Sequence, residues 1–390
     1  MESQRTFRSL GLLIKPASGH CQMRCRYCFY ENVSASRATA DYGRMKPETL
    51  ERLVERAISE TTGQCTFSFQ GGEPTLVGLD FYRSLVALQR RFQAQYGRNR
   101  LVVSNVIQTN GLLLDDEWAA FFAKERFLVG LSLDGDRDLH DANRVDAAGK
   151  GTYARVLKAA RLLERHGAEF NILCVVTRSL ARRGRHVYRA LVKEGFRYLQ
   201  FIPCIEDFGN APGASPHSLT ADRFGEFLKD VFDEWHRDLT EGRYVSIRHF
   251  DNWVRMLQGI PPETCAMSGT CTCYGVVEAD GGVYPCDFYV LDAWRLGNLH
   301  DASFAEMLAG ERAERFVAES RPVAARCRTC RWHPICRGGC RRDREPLDPA
   351  EGSLNVYCAA YEAFFESAMP RLEQAARMTM PRGGSPTDRS

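Results

Sequence analysis

Apolar positions along this chain follow two alternating periods. Short runs rich in β-branched and aromatic residues read as strands: Leu10–Lys15, Thr66–Phe69, Leu101–Gln108, Leu128–Leu133, Phe170–Thr177 and Tyr198–Pro203. Between them lie amphipathic stretches that predict helices over Pro47–Glu60, Phe81–Tyr96, Asp115–Glu125, Tyr153–His166 and His186–Glu194. In the first helix Leu50, Leu53, Val54, Ala57 and Ile58 share one face, and Pro47 suits a first turn. The strand from Phe170 to Val176 is almost continuously apolar, as a sheet covered on both faces requires. Six β/α repeats predict an α/β fold with a parallel sheet. Beyond a loop over Asp207–His217 comes a helix at Ala221–Glu241, then a cysteine-rich region from Cys265 to Cys358. The end of the chain is rich in Pro, Gly, Ser and Arg and predicts a disordered tail over 371–390.

The residues best suited to chemistry follow the strands. They are the loop Cys21–Cys28, Gly71-Gly72-Glu73-Pro74, Gln108-Thr109-Asn110 and Ser132–Asp134. Parallel α/β folds build their sites at these carboxyl ends.

Composition narrows the partners. A net charge of +3 over 390 residues gives no electrostatic reason to expect nucleic acid or a membrane surface. The N-terminus lacks a secretory apolar segment, and no apolar run is long enough to span a bilayer, so a cytoplasmic protein is expected. Fifteen cysteines in a reducing compartment point to metal or redox chemistry rather than disulfides. Their distribution is bimodal: Cys21, Cys25 and Cys28 near the start, and nine beyond residue 260. Cys65, Cys174 and Cys204 sit in or beside apolar strands and read as core thiols.

The first group has C-x3-C-x2-C spacing. Three thiolates can hold three irons of a 4Fe–4S cluster and leave the fourth open to a chelating ligand, whereas structural zinc takes four closed ligands. In the second group, Cys327, Cys330, Cys336 and Cys340 follow C-x2-C-x5-C-x3-C, with Cys265, Cys271, Cys273 and Cys286 upstream and Cys358 after. Spacing leaves iron and zinc both open there, and it cannot separate Cys271 from Cys273.

Together the cysteine loop and Gly71-Gly72-Glu73-Pro74 resemble the radical S-adenosylmethionine (SAM) superfamily, and the C-terminal cysteines resemble its SPASM extension. The strings Leu13-Ile14-Lys15-Pro16, Cys25-Arg26-Tyr27-Cys28-Phe29-Tyr30, Phe69-Gln70-Gly71-Gly72-Glu73-Pro74, Gln108-Thr109-Asn110-Gly111 and Tyr284-Pro285-Cys286-Asp287 look like the anaerobic sulfatase-maturating enzymes. The resemblance implies a partial (β/α)6 TIM-type barrel over 1–240 and a SPASM domain over 241–370. It implies SAM and three 4Fe–4S clusters: one on Cys21, Cys25 and Cys28, one on Cys265, Cys271, Cys286 and Cys340, and one on Cys327, Cys330, Cys336 and Cys358. The reaction implied is oxygen-independent conversion of a sulfatase Cys or Ser to Cα-formylglycine through a 5′-deoxyadenosyl radical. Asp287 would be the base. Tyr27, Gly72, Ser132 and Arg144 would contact SAM, with Glu73 and Asp134 beside it and Ile205, where the family has leucine, near adenine. Gln70, Gln108, Asn110 and His140 are the candidate substrate-contacting or positioning residues. A sulfatase polypeptide is the expected partner, with an electron donor such as a flavodoxin or ferredoxin, and the enzyme is expected to act as a monomer. The nearest rival is a SPASM maturase that crosslinks a ribosomal peptide. Only twenty residues precede Cys21, which leaves no room for the leader-binding domain expected of that rival.

Overall fold

A computed structural model describes residues 6–210, 213–348 and 350–380. Six parallel strands come first, each joined to its sequence neighbour: β1 (Phe7–Ile14), β2 (Thr61–Phe69), β3 (Val102–Thr109), β4 (Leu128–Ser132), β5 (Phe170–Val176) and β6 (Tyr198–Pro203). The six predicted strands all form, with ends shifted by a few residues. β2 starts earliest relative to expectation, because its polar opening, Thr61-Thr62-Gly63-Gln64, is drawn into the ladder by β1.

Helices cover the sheet as its apolar strands demand. The helix Pro47–Ser59 turns Leu50, Leu53, Val54, Ala57 and Ile58 inward, all buried. Each large aliphatic side chain there contributes about 1.5–3 kcal/mol by leaving water. Asp115 caps the helix Asp116–Lys124 by accepting from the Trp118 amide, which fixes where that helix begins. The result is the partial barrel expected.

The sheet then runs past the boundary expected at residue 240. β7 (Ser246–Ile247) joins β6 in parallel. On the opposite edge β8 (Gly275–Val277) pairs in parallel with β1, and β9 (Gly282–Tyr284) and β10 (Gly297–Asn298) follow antiparallel. Ten strands thus lie in the order β10-β9-β8-β1-β2-β3-β4-β5-β6-β7. These last strands are too short to show a period in sequence.

The expected tail needs correction. A helix spans Cys358–Thr379, and Phe364, Phe365, Ala368, Leu372, Ala375 and Ala376 are buried along it. It packs against the helix Ala221–Thr240, where a Cβ on Gly225 would sit only 3.2 Å from Ala360 Cα. Apolar spacing outweighs the polar composition until Thr379; the remainder of the predicted tail, 381–390, lies outside the described residues. Among the described residues no helix is long and apolar enough to cross a membrane.

Candidate functional site

The carboxyl ends of β1–β4 carry the N-terminal cysteine loop. That loop is pinned by backbone pairing to the segment after β4: the Arg24 and Arg26 amides donate to the Val145 and Asn143 carbonyls, at 2.8 and 3.0 Å. Gly72 adopts φ 57°, and a Cβ there would meet the His20 carbonyl at 2.4 Å. Its glycine is required by the close approach of this loop's own backbone. Burial pushes the Cys21 thiol up to about 12 and the Cys25 thiol up to about 11, with Cys28 adding to both through its charge. A metal cation binds the deprotonated form, and three thiols brought together in one loop are a donor set that suits iron.

Tyr27 reaches from this loop to Asp134, and Arg144 faces the same carboxylate. Arg144 Nε lies 3.0 Å from Asp134 Oδ2 but is misaligned for a hydrogen bond, so among the described residues that donor has no partner; Nη2 donates to Oδ1 at 3.2 Å. The Val175 amide also donates to Asp134, at 2.9 Å. A cavity of about 320 Å³ opens beside this cluster, lined by Tyr27, Cys28, Glu31 and Ile205 among others. Its mix of carboxylates, a phenol ring and an apolar wall fits a nucleoside-bearing cation such as SAM. Ser132, two residues before Asp134, accepts from Gln108 Nε2 at 3.0 Å and does not line that cavity.

Glu73, expected beside SAM, and Asn110 and His140, expected as substrate-contacting or positioning residues, all brace neighbouring segments here. Glu73 is buried, and its carboxylate accepts from the Thr75 amide and hydroxyl, the Thr109 hydroxyl and the Asn110 amide, at 2.6–3.0 Å. It ties the end of β2 to the end of β3, leaving little for a SAM ammonium group. Asn110 serves the cysteine loop: Nδ2 donates to Cys21 Sγ at 3.7 Å, and Oδ1 accepts from Gln22 Nε2 at 3.3 Å. His140 is 0 % exposed and cannot touch a peptide. Its Nδ1 accepts from the Asp134 amide, and Nε2 lies 2.9 Å from the Thr152 hydroxyl, while burial lowers its pKa to about 4. It is a neutral strut that sets the turn carrying Asp134.

Asp287, only 4 % exposed, follows Cys286 directly after β9. Tyr30 donates to its Oδ2 at 2.6 Å, Gln70 Nε2 donates to the same oxygen at 3.3 Å, and Lys15 Nζ donates to Oδ1 at 3.3 Å. The Lys15 ammonium also lies 3.9 Å from the Tyr30 ring centroid. Tyr274 accepts from the Asp287 amide and lies 3.6 Å from Cys286 Sγ. Lys15, Tyr30 and Tyr274 were not singled out in the sequence. One signal was present: Lys15 is a charged residue ending the apolar strand Leu12-Leu13-Ile14, immediately before proline. From Gln70 and Tyr274 the barrel lumen opens, a cavity of about 1090 Å³ also lined by Gln108, Asn171, Asp251 and Cys265.

The C-terminal cysteines divide into two groups. Burial raises the thiol pKa values of Cys265, Cys286 and Cys340, and the charges these thiols exert on one another add to it; Cys271 acts in the same way on Cys265. Cys271 sits against Arg341, the neighbour of Cys340, and its amide donates to Ser320 Oγ at 2.9 Å. Cys273, pushed up to about 12 by burial, has Cys271 as its charged neighbour. Cys327, Cys330, Cys336 and Cys358 line a separate small cavity of about 20 Å³. All fifteen cysteines are free, and among the described residues no three His, Cys, Asp or Glu side chains close on a single ion. Thiols gathered in this way fit iron–sulfur chemistry.

Comparison with known proteins agrees with this geometry. Residues 16–181 match the radical SAM superfamily and residues 265–331 match an iron–sulfur cluster-binding domain. The chain is 44% identical to the cysteine-type anaerobic sulfatase-maturating enzyme of Clostridium perfringens (strain 13 / Type A), covering 94% of this chain and 98% of that one. It is 30% identical to the serine-type enzyme of Bacteroides thetaiotaomicron, covering 94% and 91%. Among solved structures, native anSMEcpe with bound AdoMet and Cp18Cys peptide superposes with a TM-score of 0.89 at 44% identity, covering 95% of this chain and 99% of that one. SuiB of Streptococcus suis bound to S-adenosylmethionine shares the fold at 16% identity, with a TM-score of 0.61, over 91% of this chain and 78% of that one.

Proposed function

The chain belongs to the anaerobic sulfatase-maturating enzymes of the radical SAM superfamily, and on that premise we propose that it oxidises a side chain of a sulfatase polypeptide to Cα-formylglycine without oxygen. Cysteine is the preferred target, a reading supported by 44% identity to a cysteine-type enzyme against 30% to a serine-type one. The observation that carries the reading is the buried Asp287 carboxylate, fixed by Lys15, Tyr30 and Gln70 beside Cys286 where the lumen opens.

Three 4Fe–4S clusters belong to this reading. One is held by Cys21, Cys25 and Cys28, one by Cys265, Cys271, Cys286 and Cys340, and one by Cys327, Cys330, Cys336 and Cys358. Bound SAM supplies the radical that takes a Cβ hydrogen, and the auxiliary clusters supply a sink for one electron. The chain's own part is to hold the target and move its proton. Asp287 accepts the thiol or hydroxyl proton. Lys15, Tyr30 and Gln70 keep the carboxylate pointed at one place, and Gln70 and Gln108 offer amides to a peptide in the lumen. Tyr27 and Ile205 flank the adenosyl group, with Arg144 and Asp134 behind Tyr27. Removing hydrogen, proton and electron turns a cysteine side chain into a thioaldehyde, which water converts to the aldehyde with release of hydrogen sulfide. The working enzyme is read as a cytoplasmic monomer supplied with electrons by a flavodoxin or ferredoxin.

The test is anaerobic incubation of the iron-loaded protein with SAM, reductant and matched Cys and Ser sulfatase-motif peptides, read by mass. Formylglycine should form, faster from the Cys peptide. Cys25→Ala should yield neither formylglycine nor 5′-deoxyadenosine. A crosslinked peptide of lower mass, or an unchanged peptide, would overturn the assignment.

A further inference from the structure

After Cys340 the chain reads Arg341-Arg342-Asp343-Arg344, and all three arginines are buried. Their charges are compensated unequally. Arg341 pairs with Glu319 at 2.9 Å and lies 3.9 Å from Glu345. Arg342 and Arg344 bind backbone carbonyls instead: Arg342 that of Glu206, Arg344 those of Ser320 at 2.8 Å and Pro322 at 3.3 Å. Among the described residues neither has a carboxylate within ion-pair distance, and Nε of each is buried with no partner. Asp343 offers at most one negative charge against two positive ones. Burying an unpaired guanidinium is costly, and the remedy is an anion close by.

Both arginines adjoin one set of cysteines. The Arg342 amide donates to Cys340 Sγ at 3.4 Å. Ser320, whose carbonyl holds Arg344, accepts through its hydroxyl from the Cys271 amide at 2.9 Å. Burial raises the Cys271 thiol pKa, and the Ser320 hydroxyl with the Arg341 and Arg344 charges opposes that rise. The N-terminal loop is arranged the other way. Its buried cation, Arg144, faces Asp134 at 3.0 Å, and the Glu73 charge acts on Cys21.

A 4Fe–4S cluster on four thiolates is net negative and gains one more negative charge on reduction. An uncompensated cation beside it favours the reduced form and raises the reduction potential; a paired cation does so weakly. On the proposed reading that Cys265, Cys271, Cys286 and Cys340 hold such a cluster, we propose that Arg344, assisted by Arg342, raises its reduction potential and so fits it to accept the substrate's electron. One electron leaves the substrate-derived radical and reduces the cluster. No bond to either arginine forms or breaks, and both act only through the cluster's charge.

The experiment is an anaerobic redox titration of the iron-loaded full chain, with cluster reduction read by electron paramagnetic resonance. Added SAM marks the N-terminal cluster by perturbing its signal. Arg344→Gln should make reduction of the cluster on Cys271 roughly tenfold less favourable, a fall of about 59 mV for one electron, at unchanged iron content. Arg344→Lys keeps the charge and should stay near the parent value. The N-terminal cluster should not move in either variant. Arg328→Gln removes an exposed charge beside Cys327 and should shift the potential less, because water screens it. An unmoved potential in iron-replete Arg344→Gln protein, or equal falls in the Lys and Gln variants, would overturn the inference. Should Arg344→Gln lose iron, Arg342→Gln is titrated under the same criteria. Iron loss from both would also overturn it, since the arginines would then serve the fold. A parent protein with no reducible cluster on these thiols would sink the cluster assignment in the proposed function; a cluster indifferent to both arginines would sink only this inference.

Discussion

Strands β1–β6 and the segment 265–358 hold themselves together by different means. In the first, the interior is hydrocarbon: Leu12, Ile14, Phe67, Phe69, Ile107, Val129, Leu131, Ile172 and Val176 are buried between sheet and helices. In the second, regular structure comes in short pieces such as Glu311–Ala318, Ala325–Arg328 and His333–Cys336. Its buried groups include Arg341, Arg342 and Arg344, which bond to carbonyls of Phe316, Glu206, Ser320 and Pro322. Among the described residues, Nε of each of these arginines is buried without a partner. Apolar burial stabilises the first region whether or not anything is bound. The second also buries apolar side chains such as Val276, Val283, Phe304 and Phe316, but the short pieces around its cysteines depend on what those cysteines hold.

Iron removal tests that contrast most directly. Anaerobic chelation should strip backbone-amide protection from 265–345 in hydrogen exchange while β2–β5 keep theirs. If both regions open together, the molecule is one cooperative unit and the contrast fails. A second measurement separates chemistry from scaffold at the place where the regions meet. Asp287→Asn keeps shape and removes the proton acceptor, so formylglycine formation should fall about 10²–10⁴-fold while 5′-deoxyadenosine is still produced. The Ser peptide should suffer more than the Cys peptide, since a thiol is nearer to ionisation than a hydroxyl. A parallel fall of both products would make Asp287 a support for SAM or a cluster.

Cysteine choice gives a finer test of the second region. Cys271→Ala should lower iron from about twelve per chain toward eight by cluster stoichiometry, and Cys273→Ala should leave it nearly unchanged. The reverse result would exchange their roles. A last test, of stability alone, lies at the join. Arg37 Nη1 donates to Glu278 Oε1 at 2.6 Å, with both side chains almost wholly buried. Arg37→Met strands the Glu278 carboxylate and should cost about 3–5 kcal/mol in denaturant unfolding. A cost below about 1 kcal/mol would show that Glu278 finds another donor or a proton.

Legibility in the sequence follows the same division. Long apolar strands and amphipathic helices announced themselves, because burial on both faces imposes a strong pattern. The cysteine sets were readable through spacing and resemblance. What escaped was held by single long-range contacts. Lys15 and Tyr30 gain meaning only because β9 delivers Asp287 beside them, 272 and 257 residues along the chain. In the sequence Asn110 and His140 stand between contacting a substrate and positioning, and Glu73 stands beside SAM; the choice is made by polar atoms of neighbouring strand ends, which local sequence does not reveal. The helix Cys358–Thr379 was not expected, and its last residues fell within the expected tail, because polar composition at the end of the chain masks the buried face from Ala360 to Ala376.

The pairing of β8 with β1 has a consequence for handling the protein in pieces. Leu12, Leu13 and Ile14 are flanked by β2 on one side and by Gly275, Val276 and Val277 on the other. A fragment ending near residue 240 would bare that apolar strand, with its amides and carbonyls open to any chain that can add to it. Such a fragment should precipitate or form oligomers rather than persist as a small soluble catalyst. The part that looks like an appendage in sequence is therefore also the barrel's edge seal, and shortening the protein by modules would trade a missing cofactor site for a sticky one.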